Sequence, residues 1–186
     1  MGVIKRLAFT VSVIAVAAMS GWADDVPLKK GDPVGVFYVT KAGGALDDGV
    51  EPGEEICYRC RYGSSPMVMV FIRQTDGRVQ QLVERLDASV QRNRRSRLRG
   101  LVTVLGKGVG RLRETAARVA NRGKVVSVPV VVAKETETGP PNYKLPQDSP
   151  VTIVVAKDSQ VVRVYTSSTT DIPVEQVIKE AESILD

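Results

Sequence analysis

Cys57-Tyr58-Arg59-Cys60 holds the only two cysteines of the chain, in C-x-x-C spacing, and the sequence contains no histidine. That combination narrows the chemistry. Covalent haem attachment needs a histidine directly after the second cysteine, and Arg61 stands there. A closed zinc shell needs four ligands, and two thiolates without imidazole do not supply it. Two sulfurs this close can form, break or exchange a disulfide. Arg59 and Arg61 flank Cys60, and cationic neighbours favour the thiolate over the thiol. Both arginines are therefore candidate modulators, and Cys60 is the better candidate for an attacking nucleophile. Tyr58 and Tyr62 offer a binding surface beside the pair. Three readings stand: a redox-active disulfide, a structural disulfide that pins a loop, and capture of a soft ion such as Cu(I). A ring this short removes little unfolded-state entropy, which weakens the staple reading without removing it.

Other polar groupings read as structure. Asp47-Asp48 and Glu54-Glu55 are adjacent carboxylates in turn-rich stretches, where neighbours point apart, so they read as solvated turns. Thr75-Asp76 stands just before a helical pattern and reads as its cap. Gly106-Lys107-Gly108-Val109-Gly110 lacks the spacing of a phosphate-binding loop and reads as a turn. The hydroxyls of Thr166–Thr170 have no histidine to activate them.

The N-terminus bears on the compartment these sulfurs meet. Lys5 and Arg6 precede an apolar run from Leu7 to Met19, and Gly21-Trp22-Ala23 supplies small residues at -3 and -1 of a cleavage site. This is the layout of a secretory signal peptide over residues 1–23. It leaves residues 24–186 as a single domain, periplasmic or secreted, in the bacterial cell envelope. In such a space an accessible cysteine pair is oxidised unless a reductant reaches it. Loss of Lys5 and Arg6 lowers the formal charge from +5 to +3. The densest basic run, Arg92 to Arg99, lacks interleaved aromatics and follows a helical pattern, so it reads as a solvated helix end. No nucleic-acid partner, haem, metal or other cofactor is expected.

The elements that must position the pair follow from periodicity. Val34–Thr40 and Glu55–Cys57 read as short strands around the turn Gly43–Gly53. Met67–Ile72 and Leu101–Leu105 are continuous apolar runs, the pattern of strands buried on both faces. Val79, Leu82, Val83, Leu86 and Val90 form a helical stripe, and Val109, Leu112, Ala116 and Val119 form a second. Val125–Ala133 reads as another strand, interrupted by Pro129. A loop of about fifteen residues, Glu135–Ser149, is long enough to imply a purpose. Val151–Ala156 and Gln160–Tyr165 flank a turn as a hairpin, and the stripe from Val174 to Leu185 closes the chain. Strand–helix–strand crossovers set strands parallel, and the hairpin adds an antiparallel edge. The expectation is an α/β sandwich of three layers, a mixed central sheet with helices on both faces.

This order resembles the thioredoxin-like fold, in its redoxin or peroxiredoxin-type branch. Gly31-Asp32-Pro33-Val34-Gly35-Val36-Phe37-Tyr38-Val39-Thr40 resembles the family's opening G-x-x-A-P-x-F-x-L segment. Ser65-Pro66-Met67-Val68-Met69-Val70-Phe71 resembles its K-P-x-V-L-x-F central strand. The segment from Ser149-Pro150-Val151-Thr152 to Gln160-Val161-Val162 resembles its P-T-x-x-L-I-D-x-x-G-x-I hairpin. The likeness covers most of residues 31–185 and extends to small secreted thioredoxin-domain proteins of bacteria. It implies thiol–disulfide chemistry with protein thiols or disulfides as partners, or else a non-catalytic module that binds another envelope protein. It also implies a cis-proline beside the site, with Pro150 the better match and Pro129 the second.

One departure stands out. In the family the reactive cysteine follows the central strand, at the start of the next helix. Here Arg73-Gln74-Thr75-Asp76-Gly77 occupies that stretch, and Cys57–Cys60 precedes the strand. The family's cysteine roles therefore do not transfer. The pair is expected near the opposite end of the sheet unless its loop folds back.

Overall fold

The computed structural model describes residues 27–185. The proposed signal peptide lies outside the described residues. Twelve elements follow one another. They are β1 (Val39–Gly43), β2 (Glu55–Ile56), α1 (Tyr58–Tyr62), β3 (Met67–Ile72), α2 (Gly77–Arg92), β4 (Arg99–Val104), α3 (Val109–Arg122), β5 (Val130–Ala133), a 3-10 turn (Pro141–Tyr143), β6 (Val151–Lys157), β7 (Gln160–Ser167) and α4 (Val174–Ser183).

The strands form one sheet in the order β2-β1-β5-β4-β3-β6-β7. β3 pairs parallel with β4 and antiparallel with β6, β4 pairs parallel with β5, and β6 and β7 make the closing hairpin. β3 lies in the interior of the sheet, and all six of its residues are buried. Its alternation divides the core. Val68, Val70 and Ile72 join the cluster that receives α2, α3 and α4. Met67, Met69 and Phe71 join a second cluster covered by Tyr58 of α1, Val34, Phe37, Tyr143 and Leu145. Side-chain alternation along an extended strand requires this split. Each fully buried side chain of this size contributes about 1.5–3 kcal/mol relative to its exposed state. The mixed sheet with helices on both faces is thus observed.

The second face explains two features of the sequence. The segment from Val34 to Tyr38 is not part of a strand, and β1 begins only at Val39. Val34 and Phe37 are spent covering the sheet, while Val36 and Tyr38 face solvent. The long loop before β6 completes the same cover. Tyr143 is buried there, with ring centroids 5.1 Å from Phe37 and 5.4 Å from Phe71. Its hydroxyl donates to Gly35 O at 3.0 Å, tying the loop to the opening segment. β5 is shorter than expected and starts directly after Pro129, which has no N–H to give a ladder.

On the helical face, Asp76 caps α2 by accepting from the N–H groups of Arg78 at 2.8 Å and Val79 at 3.0 Å. The buried stripe of α2 matches the sequence pattern. α4 lies beside it, linked by Arg85–Glu175 at 2.7 Å and Arg92–Glu182 at 3.0 Å. These pairs are solvent-exposed and orient the helices more than they stabilise them.

Candidate functional site

The cysteine pair sits on a helix that sequence periodicity did not reveal. α1 has five residues, Tyr58 to Tyr62. Cys57 is its N-cap residue, and its sulfur accepts the N–H of Cys60 at 3.1 Å. Gly63 ends the helix at φ 60°, a left-handed conformation that glycine adopts without a Cβ clash. One helical turn brings the two sulfurs together, and they are bonded at 2.06 Å. Cys57 is buried and Cys60 is exposed. A reagent from solvent therefore meets Cys60 first.

The surroundings of α1 anchor it firmly. Tyr58 is fully buried, so it does not form the binding surface expected beside the pair. Its hydroxyl donates to Asp48 Oδ2 at 2.5 Å. Burial, reinforced by that carboxylate, pushes its phenol well above the usual tyrosine range. Tyr62 is half-buried and donates to Gly100 O at 3.1 Å. Arg59 is buried, with Nε donating to Val34 O at 3.2 Å and Nη1 to Gly63 O at 2.9 Å. Arg61 is exposed and donates to the backbone carbonyl of Asp48. Both arginines are thus engaged with backbone carbonyls.

Asp48 proves to be more than a solvated turn residue. Besides Tyr58, it accepts the N–H of Val50 at 3.0 Å and pairs with buried Lys41. Lys41 Nζ also donates to Ala45 O at 2.9 Å and Val50 O at 2.7 Å, which uses all three of its donors. This network folds the turn between β1 and β2 under α1. Sequence reasoning missed it because the partners stand seven and ten residues apart, a spacing that no local periodicity marks.

No protein-family model matches the sequence, and no curated protein matches it. Solved structures do match the architecture. The peroxidoxin BcpB from Mycobacterium tuberculosis aligns with a TM-score of 0.61 and 15% identity, over 86% of this chain and 99% of its own. The thioredoxin domain of a thiol-disulfide oxidoreductase from Bacteroides vulgatus aligns at 0.60 and 8% identity, over 86% and 99%. A thiol:disulfide interchange protein from Bacteroides sp. aligns at 0.60 and 8% identity, over 85% and 91%. The fold is thioredoxin-like.

Identities this low transfer the architecture and leave the site to be argued from this chain's own residues. In the thioredoxin-like frame, the end of β3 leads into Arg73 and then Asp76, the cap of α2. An aspartate thus stands at the helix start where the resemblance implies a cysteine. Hydrogen bonds hold its carboxyl below the usual range, from Thr169 first and then from backbone N–H groups. Pro150 borders this end of the sheet, its carbonyl accepting the N–H of Arg73 at 2.8 Å. The Pro129 carbonyl accepts the N–H of Val102 at 3.0 Å. Among the described residues no peptide bond is cis, so the expectation of a cis-proline at Pro150 or Pro129 is corrected. Both carbonyls accept hydrogen bonds between interior neighbouring strands, from the trans form, the lower-energy isomer before proline.

The cysteines belong to the other end. Tyr62 of α1 is bonded to Gly100 at the start of β4, and the chain leaves α1 through Pro66, whose carbonyl accepts from Arg99. α1 therefore lies across the second face toward the N-terminal ends of β3 and β4. An exposed cysteine bonded to a buried one, with an N–H donated to the buried sulfur, can undergo thiol–disulfide exchange.

Proposed function

We propose that this protein exchanges disulfides with thiols of other proteins through Cys57 and Cys60, in an extracytoplasmic compartment. The observation that carries the reading is the asymmetry of the pair, with Cys60 exposed and Cys57 buried under a backbone N–H. An incoming thiolate attacks Cys60 Sγ. The Cys57–Cys60 bond breaks, and its electron pair leaves on Cys57 as a thiolate that accepts the Cys60 N–H. A second substrate thiolate then attacks the mixed disulfide. The substrate departs oxidised, and the protein is left as a dithiol, reduced by two electrons. The reverse sequence reduces a substrate disulfide, with Cys60 as the attacking thiolate. The likeness to thiol:disulfide interchange proteins supports this reading. The signal-like segment at residues 1–23 supports the compartment, with residues 24–186 as the working domain.

The test is trapping. Cys57→Ser is expected to accumulate mixed disulfides on Cys60, and Cys60→Ser is expected to accumulate none. A reduction potential below about -300 mV with no exchange activity would mark a structural bridge instead.

A second reading has its own support. Tyr58 and Arg59 are fixed in the core, and Asp76 stands at the start of α2, which suits a non-catalytic module that binds another envelope protein. In that case Cys57–Cys60 is a structural disulfide, and neither variant traps a partner.

A further inference from the structure

The exchange reading leaves the substrate open, and the surface beside Cys60 is specific enough to name its class. A cleft of about 410 Å³ opens at the residue after Cys60, with Arg61, Tyr62, Arg94 and Arg99 in its wall and Ala45 and Val126 among its apolar residues. All three arginines are exposed. Each is held in place by a neighbour. Arg61 reaches the carbonyl of Asp48, Arg94 Nη2 donates to Ser127 Oγ at 3.2 Å, and Arg99 lies over the Tyr62 ring at 5.6 Å. These contacts use a fraction of the five N–H donors that a guanidinium carries. Of the two carboxylates in the wall, Asp48 is already paired with Lys41 at 2.7 Å. Asp47 alone then opposes three guanidinium groups.

The positive surface continues past this cleft. A second one, of about 230 Å³, lies at Ser64 and Pro66, just after α1, with Arg95, Arg97 and Lys157 in its wall against one carboxylate, Asp158. A small anionic thiol can engage only one such cleft at a time. Guanidinium groups distributed over two match the carboxylates of an extended polypeptide, which Arg recognises bidentately. The sequence read the Arg92–Arg99 run as a solvated helix end. In the structure its members line two clefts, one walled by Arg61 and Tyr62 of the cysteine helix and one by Ser64 and Pro66 just after it.

We infer that the substrate is a protein cysteine set in an acidic segment, its carboxylates seated on Arg61, Arg94 and Arg99 while its sulfur meets Cys60. This inference rests on the exchange reading above, and the bond made and broken is the one described there.

The test uses the oxidised protein and three cysteine peptides of equal length, flanked by glutamate, serine or lysine. Exchange is followed by acid quenching and mass spectrometry. The acidic peptide is expected to react about tenfold or more faster than the basic one at low salt, and the advantage should shrink at high salt. Arg94→Glu together with Arg99→Glu should remove or invert the preference, with thermal unfolding confirming an intact fold. A cysteine-free acidic peptide should bind the wild-type protein by fluorescence anisotropy and lose binding to the same variant. Exchange at equal rates with all three peptides would overturn the inference and leave the exchange reading standing. Failure of every peptide to exchange, with the cysteine-free acidic peptide still binding, would sink the exchange reading and keep the acidic partner. A rate gain for the tripeptide glutathione without one for the acidic peptide would overturn the polypeptide as partner.

Discussion

Buried Lys41 and partly buried Asp48 form an ion pair beneath α1, with Nζ 2.7 Å from Oδ1. The pair supports the cysteine helix from below, because Asp48 also receives the Tyr58 hydroxyl. Removing one member of a buried pair leaves the other desolvated and uncompensated. Asp48 is partly exposed and keeps two other donors, so Lys41→Met is expected to destabilise the protein by about 3 kcal/mol, the low end of the range for buried pairs. Tyr58→Phe removes one hydrogen bond to a charged acceptor, so about 1.5–3 kcal/mol is expected. Urea denaturation of the two variants checks the order, and a larger loss for Tyr58→Phe would contradict it.

Alkali should reveal three protected tyrosines. Burial raises the phenols of Tyr58, Tyr62 and Tyr143 far above their usual range. The folded state thus holds these protons more tightly than the unfolded chain, whose tyrosines titrate near about pH 10. Their contribution to stability is whole below that pH and falls as pH rises beyond it. Absorbance at the tyrosinate band should show at least three of the chain's five tyrosines ionising only with unfolding, Tyr165 also being raised by burial to a lesser degree. Smooth titration of all five in the folded protein would refute this.

Acid acts through a different group. Glu182 Oε1 accepts from Ser89 Oγ at 2.8 Å and from Arg92 Nη2 at 3.0 Å. The Ser89 bond first, with help from Arg92, holds its carboxyl below the ordinary range. The stability this lends is present above the unfolded glutamate value, about 4.3, and is lost as pH falls through the lower folded value. Glu182→Gln should therefore flatten the acid limb of the stability curve while leaving its shape near neutrality alone. The group is partly exposed, so the effect should be modest. An unchanged acid limb would count against it.

Reduction of the disulfide should cost little. Closing a loop of this size removes unfolded-state entropy worth about 2 kcal/mol. The reduced protein is expected to remain folded, with its denaturation midpoint lowered correspondingly. Unfolding on addition of a reductant would show that the bridge holds more of the structure than α1.

The sheet was legible because its signals are local. Met67–Ile72 is apolar at every position, and burial on both faces demands that. The stripe on α2 repeats at helical spacing for the same reason. α1 was hidden because five residues are too few to show a period, and its stop depends on one glycine conformation. Asp87 was hidden for another reason. It sits in α2 among polar residues, yet it is buried, and its Oδ1 accepts the N–H groups of Val126, Ser127 and Val128 at 3.2, 2.7 and 2.9 Å. Those partners are about forty residues away, and only the packed fold brings them within reach. The site divided along the same line. The cysteines and the flanking arginines were visible as types and spacing, whereas which sulfur faces solvent depends on how α1 lies on the sheet.

The ring closed by Cys57 and Cys60 encloses a single helical turn whose tyrosines and arginines are fastened independently of the sulfurs. Those fastenings do not pass through the sulfurs, so the oxidised and reduced forms are expected to present one silhouette. A partner that responds to the redox state must read it at the sulfur itself, by reacting there, because no change of outline carries the message.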